Sequence, residues 1–472
     1  MSSHDYPKSI SRRRFIGQAS CAAVSSISVL NTLLNLRLAG DVAAADPPTP
    51  NEYRALVCLF LAGGNDSFNM LVPRGAAEHA EYATIRGNLA LGQNSLIPIN
   101  PVNNIGKQLG LHPGMPELAN LFEQGNAAFV ANVGTLIEPV TKAEYFSGAA
   151  DLPLGLFSHS DQQEQWQTSV PQSRAGTGWA GRLGDLLQSL NTNQTVSMNI
   201  SLSGSNVFQA GQNVFEYAIT PTGAVGLDGY RTQWQANDLL NQVRSAAVDS
   251  QIAQQYSNLL AQAFTSNKRS AVDAYGLFAG ATSGALLPGV TFPTTALGPE
   301  LQMIAKTIAG RAALGATRQT FFVQLGGWDH HDEVLNNQQT MLPYVSSAVN
   351  AFYNALVALG VENNVTLFTA SDFGRTLTSN GRGSDHAWGG NHFVVGGGVS
   401  GQKIYGDYPA LYQNSPVDVG RGRLIPTTSA DAYFAELALW LGVSKTNLPL
   451  VLPNIGNFYD TSLSSPPVGF LL

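Results

Sequence analysis

The hydrophobic positions of the chain fall into two kinds of run. Residues 55–62, 127–133, 320–325, 365–370 and 393–395 are short, nearly unbroken apolar or β-branched stretches. A strand covered on both faces has that pattern, because neither row of its alternating side chains meets water. Between them lie segments with helical spacing, at 116–124, 179–190, 300–314, 344–359 and 430–441. Strands alternating with helices predict an α/β chain, an α/β/α sandwich around a mostly parallel central sheet. The segment 191–293 differs. It is rich in Gln, Asn, Ser and Ala, with a strand expected near 196–202 and long helices over 233–278. It reads as a helical insertion or cap on one domain of residues 46–472.

The first 45 residues carry a different pattern. KSISRRRFIG at 8–17 precedes a small, moderately apolar stretch to about Leu38, then Ala43-Ala44-Ala45. A charged start, an apolar middle and a small-residue cleavage site predict a signal peptide. The Arg12-Arg13-Arg14-Phe15 string makes it a twin-arginine type, with the twin-arginine translocase as partner during export. Gln18, Ser20, Ser25, Ser26, Asn31 and Asn35 interrupt the apolar middle. A permanent membrane anchor, which needs roughly 20 mostly apolar residues, is not expected. The mature chain is expected to be periplasmic or secreted.

Charge narrows the function classes. Lys and Arg total 25 against 32 Asp and Glu; removing the leader's five basic and two acidic residues leaves 20 against 30. That acidic excess argues against nucleic acid as a partner. Of the two cysteines, Cys21 leaves with the leader and Cys58 sits in an apolar strand, as a small buried hydrophobe would.

Chemistry concentrates at the ends of the predicted strands. Four of the eight histidines lie in two segments, Trp328-Asp329-His330-His331 and the Gly-rich loop carrying Asp385, His386 and His392. Carboxylates and imidazoles delivered from strand ends are what a metal site on a parallel sheet needs. Asp329 and His331 share a face if the backbone is extended, leaving His330 pointing away. Asp372 follows another buried strand. Asp66 ends the first, after Gly63 and Gly64. His386 is the preferred imidazole ligand, with Asp385 either beside it or behind it; His392 can be a ligand or a packed core residue. Arg375 can meet an anionic substrate oxygen or form an ion pair with Asp372 or Asp385. In Phe157-Ser158-His159-Ser160-Asp161, Ser158 is a candidate nucleophile at a helix start and His159 a candidate ligand or acid. Helix capping explains the same serines equally well. Carboxylates with imidazoles suit a divalent metal, Zn²⁺ or Mn²⁺.

Several motifs together carry a family resemblance. FLAGGNDSFNMLVP, LGLHPGMPEL, FSHSDQQEQW, GTGWAGRL, GGWDHHDEV, SDFGRT and GSDHAWGGNHFVVGGG run in order from the leader to about residue 410. The chain resembles domain of unknown function family 1501, which looks like a branch of the alkaline phosphatase and sulfatase superfamily. The resemblance implies an alkaline phosphatase-like sandwich with metal ligands at the carboxyl edge of the sheet: Asp66, Asp329, His331, Asp372, and His386 or His392. It also shows departures. Phe373 follows Asp372 where the phosphatases have His, and no sulfatase-type Cys/Ser-x-Pro-x-Arg segment is present. The resulting expectation is an exported metal-dependent hydrolase of phosphate or sulfate esters, on a small-molecule or polysaccharide substrate. The alternative is a non-catalytic periplasmic binding or assembly protein on the same fold.

Overall fold

A computed structural model describes residues 52–227, 229–230, 238–295 and 297–471. The predicted leader, residues 1–45, lies outside the described residues. Residues Asn51–Leu472 form one compact unit.

The apolar runs are the core of the main sheet. Strands β1 (Arg54–Leu61), β5 (Ala127–Gly134), β6 (Asn199–Ser201), β7 (Tyr217–Thr220), β8 (Gly223–Ala224), β9 (Arg318–Leu325), β10 (Val365–Ser371), β11 (Gly390–Val395) and β12 (Ile404–Tyr405) pair in the order β12-β5-β11-β10-β1-β9-β6-β7-β8, and β13 (Thr428–Ser429) pairs with β5. β2 (Leu71–Pro73), β3 (Ile97–Ile99) and β4 (Leu109–Leu111) form a separate antiparallel sheet. β1 lies parallel between β9 and β10, with Leu59 level with Val323 and Thr369. β11 runs antiparallel to both β10 and β5. The sheet is therefore mostly parallel, with a reversed strand inside it.

Alternation along the strands sends side chains into two layers. Val57, Leu59, Phe321, Val323 and Leu367 join one apolar core with Leu301, Ile304, Leu342, Val345 and Phe352. The last five lie on α7 (Leu297–Ala309) and α8 (Val334–Ala358), preceded in the chain by α1 (Ala76–Arg86), α2 (Pro116–Glu123), α3 (His159–Thr168), α4 (Trp179–Leu187), α5 (Leu239–Ala253) and α6 (Leu259–Ser283). On the opposite face Phe368 meets Trp179 of α4 at 5.8 Å between ring centroids. Trp179 in turn stacks on Phe434 of α9 (Ala430–Leu441) at 4.5 Å. Ser429 caps α9, its Oγ accepting the Ala432 N–H at 3.0 Å. Two covered faces explain why all seven residues of β10 and the last seven of β1 are buried.

Two details differ from the sequence reading. Helix α8 begins ten residues before the expected 344 and passes through Pro343. Proline removes one N–H from the helical ladder, and the carbonyl it leaves belongs to Gln339 on the exposed face, where water can serve it. The 191–293 segment holds α5 and α6 but also contributes β6, β7 and β8 to the main sheet. Cys58 is buried, as expected.

Candidate metal centre

The carboxyl ends of β1, β9 and β10 open on one edge of the sheet. Chain direction brings a fourth loop there. Because β11 is reversed, the residues that precede it, Asp385 and His386, arrive at the edge that β10 leaves through Asp372. The loop after β1 must pass very close to the loop after β9. Gly63 has φ +118°, and a Cβ there would lie 2.4 Å from the Asp329 nitrogen, so only glycine fits. Gly63 also donates its N–H to Asp372 Oδ1 at 3.0 Å, which ties the β1 and β10 ends together.

At this edge three imidazoles converge on one carboxylate oxygen. Asp329 Oδ1 lies 3.1 Å from His331 Nε2, 3.4 Å from His386 Nε2 and 3.4 Å from His159 Nε2. The two nitrogens of His331 and His386 are 2.8 Å apart. The other ring nitrogen of each histidine is already fixed. His159 Nδ1 meets Asp372 Oδ2 at 2.7 Å, His331 Nδ1 meets Asp385 Oδ1 at 3.0 Å, and His386 Nδ1 meets the Phe157 carbonyl at 2.7 Å. A carbonyl and a carboxylate only accept, so each Nδ1 carries a proton; in a neutral imidazole that leaves Nε2 as the nitrogen able to bind a metal. Asp372 is held for this task, since its buried carboxylate also takes the Gly63 N–H and the Gln163 amide at 2.8 Å.

The local electrostatics favour a neutral His386 and ionised Asp329 and Asp385. Burial pushes the His386 imidazole below its ordinary range, helped by His159, Arg375 and His331, while the Phe157 carbonyl acts the other way. Burial raises the Asp329 carboxyl, but the Arg375 hydrogen bond and charge, with His331 and His159, outweigh it and hold the group below the usual range. Asp385 behaves alike: burial raises it, yet hydrogen bonds from Asn380, Arg421 and His331 bring it down to about 2.

These residues fit a divalent cation. Three imidazole nitrogens and a carboxylate oxygen lie close together, and His159 Nε2 has no hydrogen-bond partner. Tetrahedral zinc with ligands near 2.0–2.1 Å implies ligand–ligand separations of about 3.3 Å, close to the three distances to Asp329 Oδ1, whereas the His331–His386 pair at 2.8 Å is tighter. Each imidazole has the outer acceptor that metal-bound histidines need. His159, Asp329 and His386 offer ligand atoms all within 4.8 Å of one another, a set that leaves out His331, which is close to Asp329 and His386. The cluster opens on one side: the side chains of Asp329, His331 and His159 are 46%, 44% and 31% exposed, while Asp372 and Arg375 behind them are fully buried.

The sequence candidates divide accordingly. Asp329, His331 and His386 come together. Asp372 stands directly behind, holding His159 rather than reaching the centre with its own oxygens. Asp66 is elsewhere: fully buried, its Oδ2 is 2.6 Å from Arg86 Nη2 and accepts from Ser384 Oγ at 2.9 Å. Its charge is consumed by a buried cation. His392 lies inside β11, its ring 4.8 Å from Trp166 and its Nδ1 3.4 Å from Thr369 Oγ1. Burial pushes its imidazole down to about 3. Arg375 is buried and committed to Asp329 Oδ1 at 2.8 Å, the Gly63 carbonyl at 3.2 Å and the Ser384 carbonyl at 2.6 Å. It positions Asp329 rather than facing solvent. Ser158 caps no N–H of α3, and its Oγ meets Ser160 Oγ at 3.2 Å. His159, named as a candidate ligand or acid at a helix start, joins the cluster from outside the strand ends. Gln163, one turn later on α3, carried no signal.

The family profile for proteins of unknown function DUF1501 matches residues 53–423. The chain belongs to that family. Every residue of the DUF1501 cluster and of its outer acceptors lies inside the match. No curated protein matches the chain. Among solved structures it is similar to Ps i-CgsB, at 12% identity and TM-score 0.32, covering 86% of this chain and 77% of that one. It is also similar to a mutant of alkaline phosphatase PafA, at 15% identity and TM-score 0.25, covering 69% and 64%. A 2-O GAG sulfatase matches at 11% identity and TM-score 0.27, covering 79% and 72%. At such scores the functional case for this DUF1501 protein rests on its own side chains.

Proposed function

We propose that the protein is an exported metal-dependent hydrolase of phosphate or sulfate esters. A divalent ion would be held by His159, His331, His386 and Asp329. The observation that carries the reading is the convergence of three Nε2 atoms on Asp329 Oδ1, with the Nδ1 of each ring held by an acceptor of its own. A nitrogen-rich set with one carboxylate suits Zn²⁺ better than Mn²⁺. When bound, such an ion supplies a Lewis acid for an ester oxygen.

The chain's own residues do the rest. Asp372, Asp385 and the Phe157 carbonyl orient the imidazoles, and Arg375 fixes Asp329. The exposed side admits the ester, a small molecule or a polysaccharide branch. Hydrolysis needs an attacking oxygen. Ser158 precedes His159 in the chain, yet its hydroxyl is turned to Ser160. A solvent water entering by the exposed side is the simpler nucleophile. Export is proposed from the leader-like sequence of residues 1–45; among the described residues no helix is long and apolar enough to cross a membrane.

The test is elemental analysis of the mature protein purified without added metal, beside His159→Ala and Asp329→Ala. About one equivalent of zinc, lost in both variants, together with turnover of a phosphate or sulfate monoester, is the expected result. A folded wild type that stays empty in excess Zn²⁺ and Mn²⁺ would falsify the metal reading. One observation favours a second reading, a non-catalytic binding or assembly protein: Arg375, the residue expected to meet a substrate anion, is wholly buried. Bound metal with polysaccharide affinity and no turnover of any ester would decide for it.

A further inference from the structure

We propose that the loop 414–423 is the positioning element of this centre, and that Arg421 acts through Asp385 to fix the ring and tautomer of His331. The proposal rests on the metal reading for its functional meaning, while the tautomer it assigns stands on geometry alone.

The loop joins β12 to β13, and its shape is set by one buried acid. Asp418 is 1% exposed. Its Oδ2 accepts the Asn414 N–H at 2.9 Å, and its Oδ1 accepts the N–H groups of Gly420 and Gly422 at 2.7 and 2.9 Å. That grip holds Gly420, Arg421 and Gly422 at φ +114°, +61° and +71°. Arg421 is the residue of the three that carries a side chain, in a backbone region that L residues disfavour. Such a conformation persists where its surroundings over-determine it, and it clusters at functional sites. Here the Arg421 carbonyl is also bound, by the Thr378 N–H at 3.2 Å and the Thr378 hydroxyl at 3.0 Å.

The loop places two arginines behind the residues that hold two of the three imidazoles. Arg421 Nη2 lies 2.6 Å from Asp385 Oδ2. With that oxygen occupied, Asp385 turns Oδ1 to His331 Nδ1 at 3.0 Å, steadied by the Asn380 amide at 3.0 Å. Arg423 donates from Nε to the His386 carbonyl at 3.0 Å, and its guanidinium sits 4.9 Å over the Phe157 ring. Phe157 is the residue whose carbonyl accepts His386 Nδ1. One loop therefore backs both histidines of the 2.8 Å nitrogen pair. Without the Arg421 guanidinium, Asp385 is free to rotate off Nδ1. His331 can then place its proton on Nε2, and a protonated Nε2 has no lone pair to give a metal.

The experiment compares the wild-type mature chain with Arg421→Gly, Arg421→Lys and Arg382→Ala. Glycine suits the left-handed backbone, so that variant removes the side chain without adding strain. Arg382 is an exposed arginine paired with Asp332 and serves as the control. In metal-free protein labelled with ¹⁵N-histidine, long-range ¹H–¹⁵N spectra are expected to show a proton on His331 Nδ1, held by Asp385. Arg421→Gly should give a mixture, Arg421→Lys should restore most of the Nδ1–H form, and Arg382→Ala should match wild type. Zinc affinity, measured by competition with a chelating dye, should fall about 10–100-fold in Arg421→Gly and recover in part in Arg421→Lys. An Arg421→Gly protein with wild-type tautomer and wild-type zinc affinity overturns the proposal. A tautomer shift in a chain that binds no zinc supports the positioning role and removes the metal reading instead.

Discussion

Asp66 and Asp372 look alike in the sequence, each an acid one step beyond a buried strand, and their partners separate them. Asp372 accepts from His159, Gln163 and the Gly63 backbone, so its charge orients a ring at the open edge. Asp66 is paired inside the protein with Arg86, and both side chains are fully buried. Removing one member of a buried pair leaves the other uncompensated. Asp66→Ala is therefore expected to lose about 3–5 kcal/mol of unfolding free energy, read from urea denaturation. The folded fraction should keep its metal content. Loss of metal from a variant of unchanged stability would return Asp66 to the ligand set. His159 carries the opposite lesson: its place at a helix start left it a ligand or an acid, and the partner that orients it is a carboxylate 213 residues away.

At the scale of elements, the strand ends and loops act as one device. The sequence marked β1, β9 and β10 by their apolar runs and placed an acid after each. It did not show that β11 runs backwards, which is what delivers His386 from the start of a strand to the edge where the others finish. The contact between the β1 and β9 loops is equally hidden, although Gly63-Gly64 hinted at a sharp turn. Gly63→Ala should disturb it twice, through an unfavourable φ and through a Cβ crowding the Asp329 backbone. The expected result is weaker zinc binding by tenfold or more, with β1 itself intact by hydrogen exchange. Wild-type affinity in that variant would show that the two loops are not coupled to the centre. Pro343 illustrates a local signal overruled: the helix continues through it, at the cost of one ladder N–H, where Gln339 one turn earlier is exposed.

The whole molecule adds constraints that no segment holds. His392 and His112 are buried and pushed down to about 3 and about 4 by burial. An unfolded chain protonates them near pH 6.5, while the folded one refuses the proton. Their contribution to stability is thus fully present above pH 6.5 and is lost as the pH falls through that value toward 3. Asp431, raised to about 7 by burial, works in the other sense, losing stability as the pH rises from about 4 through 7. A difference between variants isolates one group. In chelator-treated protein, His392→Phe should gain in Tm relative to wild type as the pH drops from 7 to 4. A difference that stays constant over that range would remove His392 as the source of acid sensitivity.

Periodicity fixed what is local: which runs are buried on both faces, where most helices lie, and which acids and imidazoles stand at strand ends. Those features follow from side-chain spacing and need no partner. The tertiary structure alone decided which of these groups meet. Convergence depends on strand direction and on contacts between residues far apart in the chain, and each ring's free nitrogen depends on what the other nitrogen touches. That is why Asp329, His331, His386 and, less sharply, His159 were legible as candidates, while the neutralised Asp66 and the Arg421–Asp385 brace became visible only when the chain had closed around them.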